Sequence, residues 1–308
     1  MSQNLQLVFS GLAALVAGAC LAATGLLQQR AASSRPKDEQ LSLKLIVALA
    51  QNKVWLAGIG MAFLSYAFQA VALSLGPLAL VQPLLVAELI FAIPISVRWR
   101  GVRIGAREWA AVAAVVAGLV IGIVSAYPRG GDPLQPISLW AYALGGVFLI
   151  ASVSLVLGRM TGGPPRASLF ALSGATVLGL QSALFAATIA LLRQDIGHTF
   201  TTWQPYTLIV VSLTGMYLVE NAYHAGPLAA SMPVMDATLP LVSIAIGVTL
   251  FGEQVRTGIL AFAGTSVGLI LLIGGIVMLD TSSVIRRQQQ IEHQDKDRTE
   301  ENERDTHS

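Results

Sequence analysis

Charge is what this sequence has least of. Only 12% of its 308 residues are Asp, Glu, Lys or Arg, against about 25% in a soluble domain, so a water-facing coat over the whole chain is excluded. Cysteine occurs once, at Cys20, which excludes an intrachain disulfide and a thiolate metal cluster. The alternating polar and apolar pattern of a membrane β-barrel is absent. A His-Glu-x-x-His zinc motif and a Walker phosphate loop are missing as well, so the chain is not read as an enzyme and no cofactor is expected. What is present is apolar: 54% of residues are hydrophobic and the mean hydropathy is +0.67. The expected class is an all-α, multi-pass membrane protein.

A bilayer core of about 30 Å takes about 20 helical residues. Nine apolar segments of that length occur, at 5–27, 54–75, 78–97, 107–126, 137–157, 168–191, 206–224, 229–251 and 257–279. The apolar stretch at 41–53 is interrupted by Ser42 and Lys44 and reads as an interfacial helix feeding the second span. Residues 280–308 are polar and of mixed charge, a disordered cytoplasmic tail. The first span has its positive charges (Arg30, Arg35, Lys37) after the apolar run rather than before it, the order of a retained anchor with its N-terminus outside. With that orientation, 16 of the 19 Lys and Arg fall in inner segments, and Arg129, Arg193 and Arg256 fall in outer ones. Positive charge inside is the rule for cytoplasmic membranes, which is the expected location. Trp55, Trp99 and Trp109 are expected at the inner boundary, and Trp140, Trp203 and Tyr206 at the outer.

The chain matches itself at an offset of 150. Gly76-Pro77-Leu78-Ala79 recurs as Gly226-Pro227-Leu228-Ala229, and seven of fourteen residues from 76 to 89 are identical to their mates. The same offset pairs Gly118-Leu119 with Gly268-Leu269. Spans 1–4 (residues 1–126) then correspond to spans 6–9 (167–279), with span 5 connecting them (127–166). A displacement of five spans reverses the orientation of the second copy. Inverted repeats of this kind belong to alternating-access carriers, in which two halves exchange conformations around a central site.

Three carboxylates fall within the spans: Glu88, Glu220 and Asp236. Each costs at least about 2.5–3.5 kcal/mol near the bilayer centre if ionised, so all three are expected to face the bundle interior. Glu88 lies about 18 Å from the outer end of its span and Asp236 about 12 Å from the inner end of its own, whereas Glu220 is nearer the cytoplasm. Pro83 and Pro233 are repeat mates, and with Pro240 they are expected to interrupt their helices and free carbonyls for a ligand. Tyr66 and Gln69 on span 2, Gln82 on span 3 and Asn221 on span 7 offer polar walls, and His224 could pass a proton to Glu220 four residues earlier.

The segments GPLALVQPL (76–84) and GPLAASMPV (226–234), with FGEQ (251–254) before a glycine-rich last span, resemble the drug/metabolite transporter superfamily. Nine spans with the N-terminus outside look most like its NIPA-like magnesium transporter and EamA-type permease branch. The resemblance implies an inverted-repeat helical bundle around a central cavity. The chain departs from ten-span members in lacking a last span, and from the small multidrug members in lacking a carboxylate in span 1, so Glu88 or Asp236 would take that coupling role. The first reading is a secondary transporter of a small organic solute, by proton-coupled efflux. The second is a magnesium transporter with Glu88 and Asp236 as ligands, since Mg²⁺ takes oxygen ligands and keeps its waters; the scarcity of aromatics on spans 3 and 8, apart from Phe91 and Phe251, favours the ion. The expected partners are the bilayer, the solute or ion, and a second copy of the chain in a homodimer; nucleic acid is not among them.

Overall fold

A computed structural model describes residues 3–33, 52–92 and 105–281. Among these residues there are ten helices: α1 (Gln3–Ser33), α2 (Lys53–Leu75), α3 (Leu78–Leu85), α4 (Ala106–Ala126), α5 (Ile137–Arg159), α6 (Gly163–Gln194), α7 (Ile196–Thr199), α8 (Gln204–Ala225), α9 (Leu228–Thr249) and α10 (Ile259–Asp280). Among the described residues there is no strand, only an isolated bridge between Arg129 and Gln254. The described residues form an all-helical membrane bundle, the architecture in which most backbone donors and acceptors are paired within their own segment, as hydrocarbon demands. The 41–51 part of the expected interfacial helix and the tail from 282 lie outside the described residues; Asn52 caps α2 by accepting from the Val54 N–H at 2.9 Å.

Seven of these helices are long and apolar enough to cross a membrane: α1, α2, α4, α5, α6, α9 and α10. Two of the nine expected spans differ. Helix α8 is 22 residues long, but Tyr206, Glu220, Asn221 and His224 dilute its apolar character. Helix α3 ends at Leu85, turns at 86–87, and helical conformation resumes at 88–92.

The helices pack in close pairs: α1 along α2, α8 and α9 along α6, and α4 along α10, with α3 wedged between α1 and α9. Lipid offers helices no hydrophobic drive to associate, so small residues and hydroxyls do the work. The Ser10 hydroxyl donates to the Ala72 carbonyl, Ser65 to Ala17, Ser173 to Ala151 and Ser168 to Ala230, each at 2.8 Å. Such bonds stabilise by about 0.6 kcal/mol each. Ser65, buried on α2, is therefore a packing residue.

The α4–α10 contact is the tightest. A Cβ placed on Gly118 would lie 2.5 Å from the Leu272 nitrogen and 2.7 Å from the Gly268 oxygen. A Cβ on Gly268 would collide with the Gly122 nitrogen and lie 2.8 Å from the Gly118 oxygen. Adding 150 to 118 gives 268, and subtracting 150 from 272 gives 122. The two contacts are thus mates of each other under the sequence offset. This predicts that Gly118→Leu or Gly268→Leu drives the pair apart and costs about 1–3 kcal/mol or more, whereas Gly122→Ala, whose Cβ meets nothing closer than 3.9 Å, is neutral or slightly stabilising. Thermal unfolding of the three variants in detergent checks this, and equal melting temperatures would refute it.

Candidate functional site

Two cavities lie against the sequence-predicted region. The larger, about 430 Å³, is enclosed by Ala79 and Pro83 of α3, Gly118, Gly122 and Ile123 of α4, Ile244 and Val248 of α9, and Phe262, Gly268, Leu269 and Leu272 of α10. Arg256 and Thr257 sit at its mouth, in the loop between α9 and α10. It reaches from that loop to Leu272, about 20 Å along α10. Apolar side chains and glycine backbone form nearly all of its wall. The smaller cavity, about 240 Å³, lies over the start of α3 and is lined by Gln3, Gln6, Ser74, Gly131, Arg193 and Glu253 among others. Both open toward the outer end in the orientation that the Lys and Arg count implies.

Of the predicted site residues, Pro83 alone lines the large cavity. Pro240 and Asp236 follow Ile244 inward at four-residue steps on α9, which places Asp236 about 12 Å deeper than Ile244. Asp236 is half-buried, with no hydrogen bond or ion pair to another described residue. Its repeat mate is Val86, the residue at which α3 stops. Glu88 is half-buried where helical conformation resumes, and α1 comes close there: a Cβ on Gly18 would lie 3.3 Å from the Glu88 nitrogen. Gln82 is 2% exposed, and its Nε2 has no hydrogen-bond partner among the described residues.

Other expectations are corrected. Helix α9 runs unbroken through Pro233 and Pro240, both buried; a proline removes one rung of the bond ladder, and the rungs on either side still hold the helical path. Glu220 and His224 lie on the exposed side of α8 rather than toward the interior, and no hydrogen bond joins them. Glu220 is five residues from the end of α8, about 8 Å, close enough to the interface to be hydrated. Asn221 donates to the Tyr217 carbonyl of its own helix at 2.7 Å. Tyr66 is half-exposed and meets the Phe185 ring edge-on at 6.0 Å, and Gln69 is half-buried on α2. Trp140 is fully buried rather than interfacial: it packs edge-on against Trp203 at 5.4 Å and Phe251 at 5.8 Å. Gly264 to Gly268 fits the Gly-x-Ser-x-Gly spacing of a nucleophile elbow, but it lies inside α10, where Gly264 packs on Ser125. Among the described residues no three His, Cys, Asp or Glu come together.

The residue that sequence reasoning missed is Glu253. Helix α3 begins after Pro77, which has no side-chain acceptor for the first amide groups of the helix. The Glu253 carboxylate, about 175 residues away in sequence, accepts the Leu78 N–H on Oε1 and the Ala79 N–H on Oε2, the latter at 2.8 Å. It sits in a slot that needs glycine on both sides. A Cβ on Gly131 would lie 2.5 Å from the Glu253 Cγ, and one on Gly247 would strike its Oε2. Gly131 also adopts φ +95, a left-handed conformation open to glycine. Around this clasp the loops after α4 and α9 are zipped together. Arg129 and Gln254 exchange backbone hydrogen bonds at 2.9 and 2.8 Å, the Asp132 N–H donates to Phe251 O at 2.8 Å, and the Arg256 N–H donates to Ala126 O at 2.7 Å. Tyr127 lies beneath the guanidinium groups of Arg129 and Arg256, 3.8 and 5.1 Å from its ring centre.

Burial pushes the Glu253 carboxyl up to about 7, with the Ala79 and Leu78 N–H groups opposing the shift. The ordinary value is 4.5. Between these values the folded chain binds a proton that the unfolded chain does not, so stability rises as pH falls from about 7 to about 4.5 and is lost as pH rises through 7. Melting temperatures at pH 5 and pH 8 should differ in that direction, and Glu253→Gln should remove this contribution. Glu253→Ala leaves two buried amide donors without acceptors and should cost about 1–3 kcal/mol; a melting temperature unchanged in both variants would refute the clasp.

No family model matches the chain, and no solved structure matches it. It is similar to an uncharacterized protein of Corynebacterium glutamicum, 29% identical over 301 residues that cover 92% of this chain and 98% of the relative.

Proposed function

We propose that this chain is a secondary transporter of the drug/metabolite transporter type, which moves a small organic solute across the cytoplasmic membrane by alternating access, coupled to protons in efflux. The observation that carries the reading is the α4–α10 contact. Two antiparallel helices meet at residues that are mates at the 150-residue offset, the arrangement of two inverted halves about a two-fold axis in the membrane plane. The 430 Å³ cavity lies beside that contact, between α4 and α10 on one side and α3 and α9 on the other. Its apolar wall suits an organic solute better than a hydrated ion, which needs several oxygen ligands. Asp236 and Glu88 supply the acids for proton coupling, Asp236 deeper along α9 than the cavity and Glu88 at the α3 interruption.

Asp236→Asn and Glu88→Gln are expected to abolish coupled flux while leaving the protein folded, because removing charge from a membrane core does not destabilise it. Proteoliposomes containing the purified chain test both readings together. Mg²⁺ uptake above that of empty liposomes, lost in Asp236→Asn, would replace the organic-solute reading with the magnesium one. Normal coupled transport with either substitution would overturn the assignment of the acids.

A further inference from the structure

The large cavity is apolar along its length and basic at its mouth. A volume of about 430 Å³ drawn out over about 20 Å leaves a mean section of about 20 Å², room for one extended hydrocarbon chain and not for two. Below the mouth, Thr265 is the one polar side chain in the described wall. At the mouth the chemistry changes. Arg256 and Thr257 line it, and α10 starts just behind them at Gly258, which offers its first amides no side-chain acceptor. Arg129 stands on the other loop, and its guanidinium shares the Tyr127 ring with that of Arg256. The ring attracts both cations but leaves their N–H donors in place. Neither guanidinium forms an ion pair with a described residue, and the Arg129 Nε is buried without a hydrogen-bond partner among them. The nearby acids are engaged elsewhere: Glu253 holds the α3 amides, and the Asp132 carboxylate accepts the Leu134 N–H at 2.8 Å.

We propose that the large cavity takes an amphiphile with a single apolar chain and an anionic head, carboxylate or phosphate, with the chain along α10 and the head on Arg256. This rests on the transporter reading and names the class of its solute. The apolar wall holds a chain of either sign of head equally well, so the sign is read at the mouth. A cationic head meets two like charges there, whereas an anionic one completes the donors that Tyr127 leaves open and can pair with a guanidinium through two parallel hydrogen bonds. A head at the mouth also stays clear of Asp236, about 12 Å deeper than Ile244 along α9.

Equilibrium binding tests the class on the full chain in nanodiscs of zwitterionic lipid, with radiolabelled dodecanoate as the probe and empty discs as background. Saturable binding is expected, displaced by dodecyl phosphate but not by dodecylammonium, which carries the wrong charge, nor by acetate, which carries no chain. Arg256→Gln should weaken it about tenfold, Arg256→Lys should keep most of it, and Ile244→Trp should fill the slot and abolish it. Discs of phosphatidylglycerol separate the two sources of such a head. Lost dodecanoate binding there assigns the site to a bilayer lipid and retained binding to a free amphiphile, and both keep the class. Absence of saturable binding overturns the proposal, as does displacement by dodecylammonium or acetate as good as that by dodecyl phosphate, or unchanged affinity in folded Arg256→Gln. The displacement series needs no variant, so a substitution that fails to fold leaves the decision intact. Flux in proteoliposomes separates this inference from the reading beneath it. Binding without flux keeps the ligand class and discards the carrier, whereas coupled flux of an organic cation without dodecanoate binding does the reverse.

Discussion

The approach of α4 to α10 through Gly118, Gly122 and Gly268 is the contact on which the rest of the bundle depends. Backbone atoms of the two helices touch without side chains between them, so their separation and register are fixed by the size of a hydrogen atom. In lipid this closeness is itself the attraction, because dispersion and weak backbone contacts replace the hydrophobic drive that water would supply. Once the pair is fixed, the broader gap toward α3 and α9 follows, and that gap is the large cavity. The side chains that face it are large and apolar where they must fill space, and absent where helices must touch.

The end of the bundle at which α3 begins is knit by three interactions of different kinds. Glu253 supplies charge to the start of α3, the backbone exchange between Arg129 and Gln254 joins two loops, and the Trp140–Trp203–Phe251 cluster fills the space under them. Each compensates for a particular deficit. Pro77 leaves α3 with amide groups that have no local acceptor. The loops have no regular sheet to pair with, and the ends of α5, α8 and α9 leave a void that requires aromatic volume. The buried carboxylate is the costliest of the three and the most specific, since only two glycines give it room.

Much of the architecture was legible in the sequence because hydrocarbon imposes a simple code. Runs of about 20 apolar residues can only be helices there, and the 150-residue offset paired Gly118 with Gly268 before their contact was known. The site was less legible. Pro83 lies within α3 and lines the large cavity, and Pro233 and Pro240 lie within a continuous helix, because the loss of one hydrogen bond does not dictate a break. The exposed position of Glu220 follows from its nearness to a helix end, which hydropathy windows blur. Trp140 falls where an interfacial tryptophan would fall, and only tertiary packing with Trp203 and Phe251 draws it inside. Glu253 could have been suspected from Pro77, a helix start without a side-chain acceptor, but its partner lies about 175 residues away and no local pattern links them.

The self-matching contact at Gly118 and Gly268 also bears on how the two halves can diverge. Near such an axis a residue meets its own counterpart or that counterpart's neighbour, so a larger side chain on one copy must be accommodated by the other. At the closest point both positions keep glycine, Gly118 and Gly268, whereas the next mates along the seam, Gly122 and Leu272, set a glycine on one helix against a large side chain on the other. Away from the axis no such tie exists: Val86 stands opposite Asp236 and Arg103 opposite Glu253, positions at which one copy has gained a charge or a sign that the other lacks. Gly118 and Gly268 are therefore where the 150-residue offset is visible in sequence and in contact alike, while at Asp236 and Glu253 the same offset pairs unlike residues.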